Sequence, residues 1–182
     1  MLNINDVPLE DRWRITAFEV MKYDPRFRNN EGHYLKKEWI MFSEIGKSFD
    51  GVKLTYKEYK AVEDRYMSAF QYLFDFFKCY RIQFVQTTFL LDDNELKNIK
   101  DKDLEKFYLL LKKKRTLNIQ AAQMAARLIL RSAIAGRFYC KGNQDIGVRF
   151  EYDFYMLFNV PEINKIEIKN HIEKNIGLYT HR

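Results

Sequence analysis

Side chains able to do chemistry are sparse and scattered along this chain. Its three histidines are His33, beside Gly32 at a turn, and His171 and His181, near the end. None forms an H-x-x-x-H pair, and neither cysteine has a second Cys or His at ligand spacing, so no metal site and no cofactor are expected. Cys79 (FFKCYRI) and Cys140 (RFYCKG) sit in apolar contexts and read as reduced, packed thiols. A Cys–His nucleophile would need Cys79 or Cys140 to meet His33 through the fold, with no local signature to support it.

Carboxylates occur as neighbours, Glu63-Asp64, Asp92-Asp93 and Glu151-Tyr152-Asp153. Adjacent residues on a helix or strand face different ways, so spacing alone makes no acid–base dyad. Glu63-Asp64 reads as solvated helix surface, and Asp92-Asp93 as a turn with a helix cap. Asp153 alternates against Tyr152 and is expected on the exposed face of its strand. No nucleophile, base and oxyanion-stabilising set can be named, and the chain is not expected to be an enzyme.

Basic residues gather between Lys97 and Arg115, a stretch with eight Lys and Arg interrupted by Asp101, Asp103 and Glu105. Lys112 to Arg115 suit the carbonyl end of a helix. Phe138 and Tyr139 between Arg137 and Lys141 interleave rings with cations, as a single-strand binding platform would, yet rings at period two usually cover a core. The net charge is +6, which permits an acidic partner or nucleic acid without requiring either.

The elements that must position these residues follow from composition and period. A chain of 182 residues with 47% hydrophobic and 31% charged residues is expected to fold as one soluble domain spanning residues 1–182. Fifteen Phe and twelve Tyr against seven Gly and three Pro predict a core of large rings with few long loops. There is no apolar run of the roughly 18 residues that a membrane span needs. MLNINDVPLEDRWR lacks the basic start and apolar centre of a signal peptide, and cytoplasmic residence is expected.

The firmest local signal is Thr55-x-x-Glu58, a capping box that opens a helix carrying Tyr56, Tyr59, Val62, Tyr66, Phe70, Leu73 and Phe77 along one stripe. Trp13–Lys22 and HYLKKEWI read as a strand pair joined by a long turn, and Arg81–Leu91 as a strand. Two helices are expected over Asp103–Lys113, capped by Asp103, and Thr116–Ile134, capped by Thr116 and ended before Gly136. Arg137–Lys141 and Ile146–Phe158 form a predicted hairpin flanking Gly142-Asn143-Gln144-Asp145, with Val148, Phe150, Tyr152, Phe154 and Met156 on one side. A last helix is placed at Asn164–Asn175, stopping at Gly177. Helices grouped between antiparallel strands predict an α+β domain, a mostly antiparallel sheet with helices packed on one face. No phosphate-cradling glycine motif is present.

Three blocks of text carry a resemblance. They are KYDPRFRNNEGHYLKKEWIMFSEIGKSFDG, LTYKEYKAVEDRYMSAF, and FYCKGNQDIGVRFEYDFYMLF with the closing IGLYT. Together they resemble the CdiI immunity proteins of contact-dependent growth inhibition systems, with Glu44 where an Asp is expected before Ile-Gly. The resemblance implies a non-enzymatic cytoplasmic inhibitor whose partner is the C-terminal domain of a toxin, often a nuclease, delivered by a neighbouring cell. No membrane partner, nucleic acid or small-molecule ligand is expected on that reading. The expected contact residues are Trp39, Glu44 and Asp50 in the turn-rich segment and Tyr152 and Asp153 in the hairpin. Trp39 equally suits core packing, and Glu44 beside Gly46 suits the capping of backbone donors. The rival reading is a small basic nucleic-acid-binding protein using Lys97–Arg115 with Arg137 and Lys141.

Overall fold

The computed structural model describes residues 17–181 apart from 93, 114 and 115. Trp13 and Ile15 of the first expected strand, Asp93, and Lys114 and Arg115 of the basic run lie outside the described residues.

Nine strands are described: β1 (Phe18–Met21), β2 (Ser48–Phe49), β3 (Val52–Lys53), β4 (Ile82–Phe89), β5 (Thr116–Leu117), β6 (Ile134–Cys140), β7 (Asn143–Phe150), β8 (Tyr155–Asn159) and β9 (Tyr179–His181). Seven of them form an antiparallel sheet in the order β5-β4-β6-β7-β8-β1-β9, and β2 pairs with β3 in a separate small hairpin. The helices are α1 (Tyr56–Phe76), α2 (Lys102–Leu111), α3 (Ile119–Leu130) and α4 (Glu162–His171). The architecture is the expected α+β arrangement.

The Thr55 box forms as written. The Thr55 hydroxyl accepts from the Glu58 N–H at 3.2 Å, and the Glu58 carboxylate accepts from the Thr55 N–H at 2.8 Å. Tyr59, Tyr66, Phe70 and Leu73 then bury completely, and the Phe70 ring meets Phe138 of β6 edge-on at 5.0 Å. Phe138 in turn stacks on Phe84 of β4 at 4.7 Å. Each fully buried ring contributes about 1.5–3 kcal/mol of transfer free energy. Gly136 is the enabling residue beneath this stack, because a Cβ there would lie 2.4 Å from the Phe84 ring.

Several expectations are corrected. The His33–Ile40 segment forms no strand pair with β1, which pairs with β8 and β9; between the two arms there is only a bridge from Arg28 to Tyr34. The expected strand Ile146–Phe158 is two strands, β7 and β8, folded onto each other around a turn at Tyr152–Phe154. Tyr152 consequently leaves the apolar row and is exposed. Helix α2 is capped by Asp101, whose carboxylate accepts from the Asp103 and Leu104 N–H groups. Helix α3 is capped by Asn118, and Thr116 belongs to β5. It ends at Ser132 (φ 58°), a left-handed position usually held by glycine, so Gly136 serves packing and not capping.

The cysteines are also corrected. Cys79 leads into β4 and Cys140 closes β6, and the register that sets Ile82 opposite Cys140 brings the two thiols together as a disulfide with Cα atoms 5.7 Å apart. No described cysteine is a free thiol. Glu63 is the third correction. It is fully buried and grips Arg131 through bonds of 2.7 and 2.9 Å and Arg127 through one of 2.6 Å. Asp64 stays half exposed and joins the network through Lys60 and Arg127. Among the described residues, no helix is long and apolar enough to cross a membrane.

Candidate functional site, an apolar cleft with an acidic rim

The turn between β7 and β8 is built around one ring. Phe154 is buried against Trp39 at 4.9 Å, Tyr66 at 5.6 Å and Tyr59 at 5.7 Å, each contact edge-on. The Tyr66 hydroxyl donates to the Phe154 carbonyl, and burial pushes that phenol well above its ordinary range, so it is a permanent donor. The anchoring forces an unusual backbone: Asp153 lies at φ 60°, ψ 33° and Phe154 at φ 62°. A bulky residue in this region is a true outlier, and each such residue costs about 1–3 kcal/mol unless neighbours hold it. Here three rings hold it, and the geometry turns Tyr152 and Asp153 outward.

Beside the turn opens a cleft of about 410 Å³. Its walls come from five places in the chain: Ile40 and Met41, Leu90 after β4, Ile129, Leu130 and Ser132 at the end of α3, Ile134 and Ala135 in β6, and Phe150 to Phe154. The walls are mainly apolar, and the charged residues lining them are Glu151 and Asp153. Glu151 pairs with Arg149. Asp153 makes no hydrogen bond or ion pair with any described residue. Tyr152 stands 90% exposed at the rim.

Next to the cleft, Lys22 is sunk between the Trp39 and Tyr23 rings, 4.3 and 4.1 Å from their centroids, and donates to Glu38 at 3.0 Å. Burial lowers the Lys22 pKa against the opposing pull of Glu38. Glu38 also accepts from the Tyr34 hydroxyl at 2.7 Å. Lys22, Glu38 and Tyr34 satisfy one another, so the cluster positions Trp39, while the buried Tyr23 hydroxyl has no hydrogen-bond partner among the described residues.

The five expected contact residues separate into four kinds. Tyr152 and Asp153 come together at the cleft rim. Trp39 is half-buried packing behind Phe154. Glu44 accepts from the Ile40 N–H at 2.8 Å and so fixes a backbone that lines the cleft. Asp50 is exposed at the β2–β3 turn (φ 47°) and does not line the cleft. The apolar floor, Ile40, Met41, Leu90, Ile129 and Leu130, was not anticipated, since each residue reads locally as core or loop.

The other chemical candidates disperse. His33 sits 3.4 Å from Glu31 on the surface, His181 3.5 Å from Glu19, and His171 stacks on Tyr72 at 3.7 Å. Among the described residues no three His, Cys, Asp or Glu side chains converge as a metal site would require. Phe138 and Tyr139 are both buried, so they offer no stacking platform to nucleic acid. No family model, no curated protein and no solved structure matches this chain.

Proposed function

We propose that this protein is an immunity protein of the CdiI kind, which binds the toxin domain of a contact-dependent growth inhibition system and neutralises it by covering its surface. The observation that carries the reading is the pairing of an exposed tyrosine with an apolar cleft on a backbone held rigidly from beneath. Interfaces draw most of their affinity from a few aromatic or Arg anchors at the edge of or within such depressions. A preformed turn also avoids the ordering free energy that a mobile loop would lose on association.

The three blocks that resemble the family support it further, because they meet at one point. Trp39 from the first and Tyr59 and Tyr66 from the second enclose Phe154 from the third. The face they create is centred on Tyr152.

Cytoplasmic residence belongs to the same proposal and carries a condition. Cytosolic thiols are kept reduced, so in that compartment Cys79 and Cys140 would stand as a dithiol and the fold must hold without their bond.

Co-expression with the toxin encoded beside this gene tests the reading. Wild type protects the cell and co-elutes with the toxin in gel filtration, whereas Tyr152→Ala, whose side chain supports nothing in the fold, weakens both. Continued killing in the presence of wild-type protein, with no complex on the column, rejects the proposal.

A further inference from the structure

The cleft has a sign opposite to that of the chain. The protein carries 31 Lys and Arg against 25 Asp and Glu, yet among the described residues no Lys, Arg or His lines the cleft, and both charged residues that do are acids. Glu151 is already engaged by Arg149, which leaves Asp153 as the uncompensated charge at the rim. We propose that the cleft receives a lysine or arginine side chain from the protein partner, its methylene stem against the apolar wall and its cationic head on the Asp153 carboxylate.

This rests on the binding reading above and supplies its chemistry. Long cationic side chains lay their stems along apolar surface while the head stays at the polar margin, and the cleft offers that sequence of surfaces: Ile40, Met41, Leu90 and Ile129 below, Asp153 above. Its 410 Å³ falls within the range of roughly 300–1,000 Å³ of ordinary ligand pockets, enough for one long side chain with its flanking backbone. The buried Phe154 ring next in the chain fixes the backbone of the turn, so the position of Asp153 at the rim is set before a partner arrives. An inhibitor of net charge +6 can still draw in a cationic side chain where the attraction is confined to this rim.

Side-chain mimics test this without any toxin. n-Pentylamine and n-butylguanidinium are titrated at constant pH and ionic strength into the full-length protein, with 1-pentanol as the neutral probe, following the methyl resonances of Ile40, Met41, Ile129 and Ile134. Both cations are expected to shift these methyls and to bind more tightly than 1-pentanol. Asp153→Asn, which retains a residue tolerant of the left-handed backbone, should weaken the cations by about two- to fivefold and leave 1-pentanol unchanged. The proposal is overturned if 1-pentanol binds as well as the cations, if Asp153→Asn changes nothing, or if the shifts fall outside the cleft. Because no toxin is present, failure here falls on the anchor chemistry, while failure of co-expression falls on the immunity reading.

Discussion

Glu63→Gln is the substitution whose effect the structure sizes best. The carboxylate is wholly buried, as is the Arg131 side chain, and it bridges the guanidinium groups of Arg131 and Arg127. Burial disfavours a charged Arg131, yet the hydrogen bonds that it donates to Glu63 outweigh this and raise its pKa above the ordinary guanidinium range. An amide at position 63 leaves Arg131 charged and facing a neutral group. Breaking a buried pair from one side costs about 3–5 kcal/mol. The lower part of that span is expected, because Arg131 keeps the Ile99 carbonyl at 2.7 Å and Arg127 keeps Asp64 at 2.7 Å. For a domain of this size each kcal/mol moves the melting temperature by about 2–4 °C, so a loss of about 3–4 kcal/mol should appear as a drop of about 6–16 °C in thermal denaturation followed by circular dichroism. Urea titration should show a lower midpoint with the slope unchanged. The double variant Glu63→Leu with Arg131→Met, which removes both charges, should recover most of the loss. A single variant that loses less than about 1 kcal/mol, or a double variant no better than the single, would refute the picture of a mutually dependent buried pair.

Three further outcomes are expected. Tyr66→Phe leaves the buried Phe154 carbonyl unpaired and should destabilise by about 1–3 kcal/mol; amide hydrogen exchange at Asp153 and Phe154 should quicken, and unchanged exchange would count against the anchoring role. Reducing the Cys79–Cys140 bond, which closes a separation of 61 residues, should lower stability by about 4 kcal/mol on chain-entropy grounds, read as a fall in urea midpoint with dithiothreitol. Hydrogen bonds from Arg26 hold the Asp24 pKa down to about 2, so its stabilising contribution is present above the unfolded carboxylate value of about 4 and is lost as pH falls toward 2. The stability gap between wild type and Asp24→Asn should therefore close between pH 5 and pH 2 in urea titrations; a constant gap would argue that the carboxylate charge contributes nothing.

What could be read from the sequence is local. The Thr55–Glu58 box and the three-and-four spacing of Tyr59, Tyr66, Phe70 and Leu73 determine where α1 starts and which stripe it buries, and the turn at Gly142 joins β6 to β7 as expected. The remainder depends on partners distant in the chain. Glu63 looks like a surface residue until Arg127 and Arg131 arrive from α3 and its cap. The two cysteines look like isolated thiols until β4 and β6 fall into register. At Glu151–Phe154 the alternating pattern runs on with no glycine or proline to interrupt it, and only the rings of Trp39, Tyr59 and Tyr66 convert an apparent strand into a left-handed turn. The candidate site shares this property: Tyr152 and Asp153 could be singled out by type, but the hollow beside them is assembled from five separate stretches and has no linear signature.

The order of the strands has one more consequence. Among the described residues, the outermost members of the large sheet are its shortest, two residues in β5 and three in β9. Open hydrogen-bonding margins invite another chain to add on, and brief terminal strands give such a chain little to copy. Among the described residues, β5 pairs with β4 at Ile82 and Gln83, and β4 runs on past that pairing. There Gln86 adopts a left-handed conformation (φ 52°) and the register slips between Val85 and Thr88. Among the described residues, the borders of this ring-rich sheet are thus brief or bent, and a strand of another chain laid against them would find few groups in line to pair with.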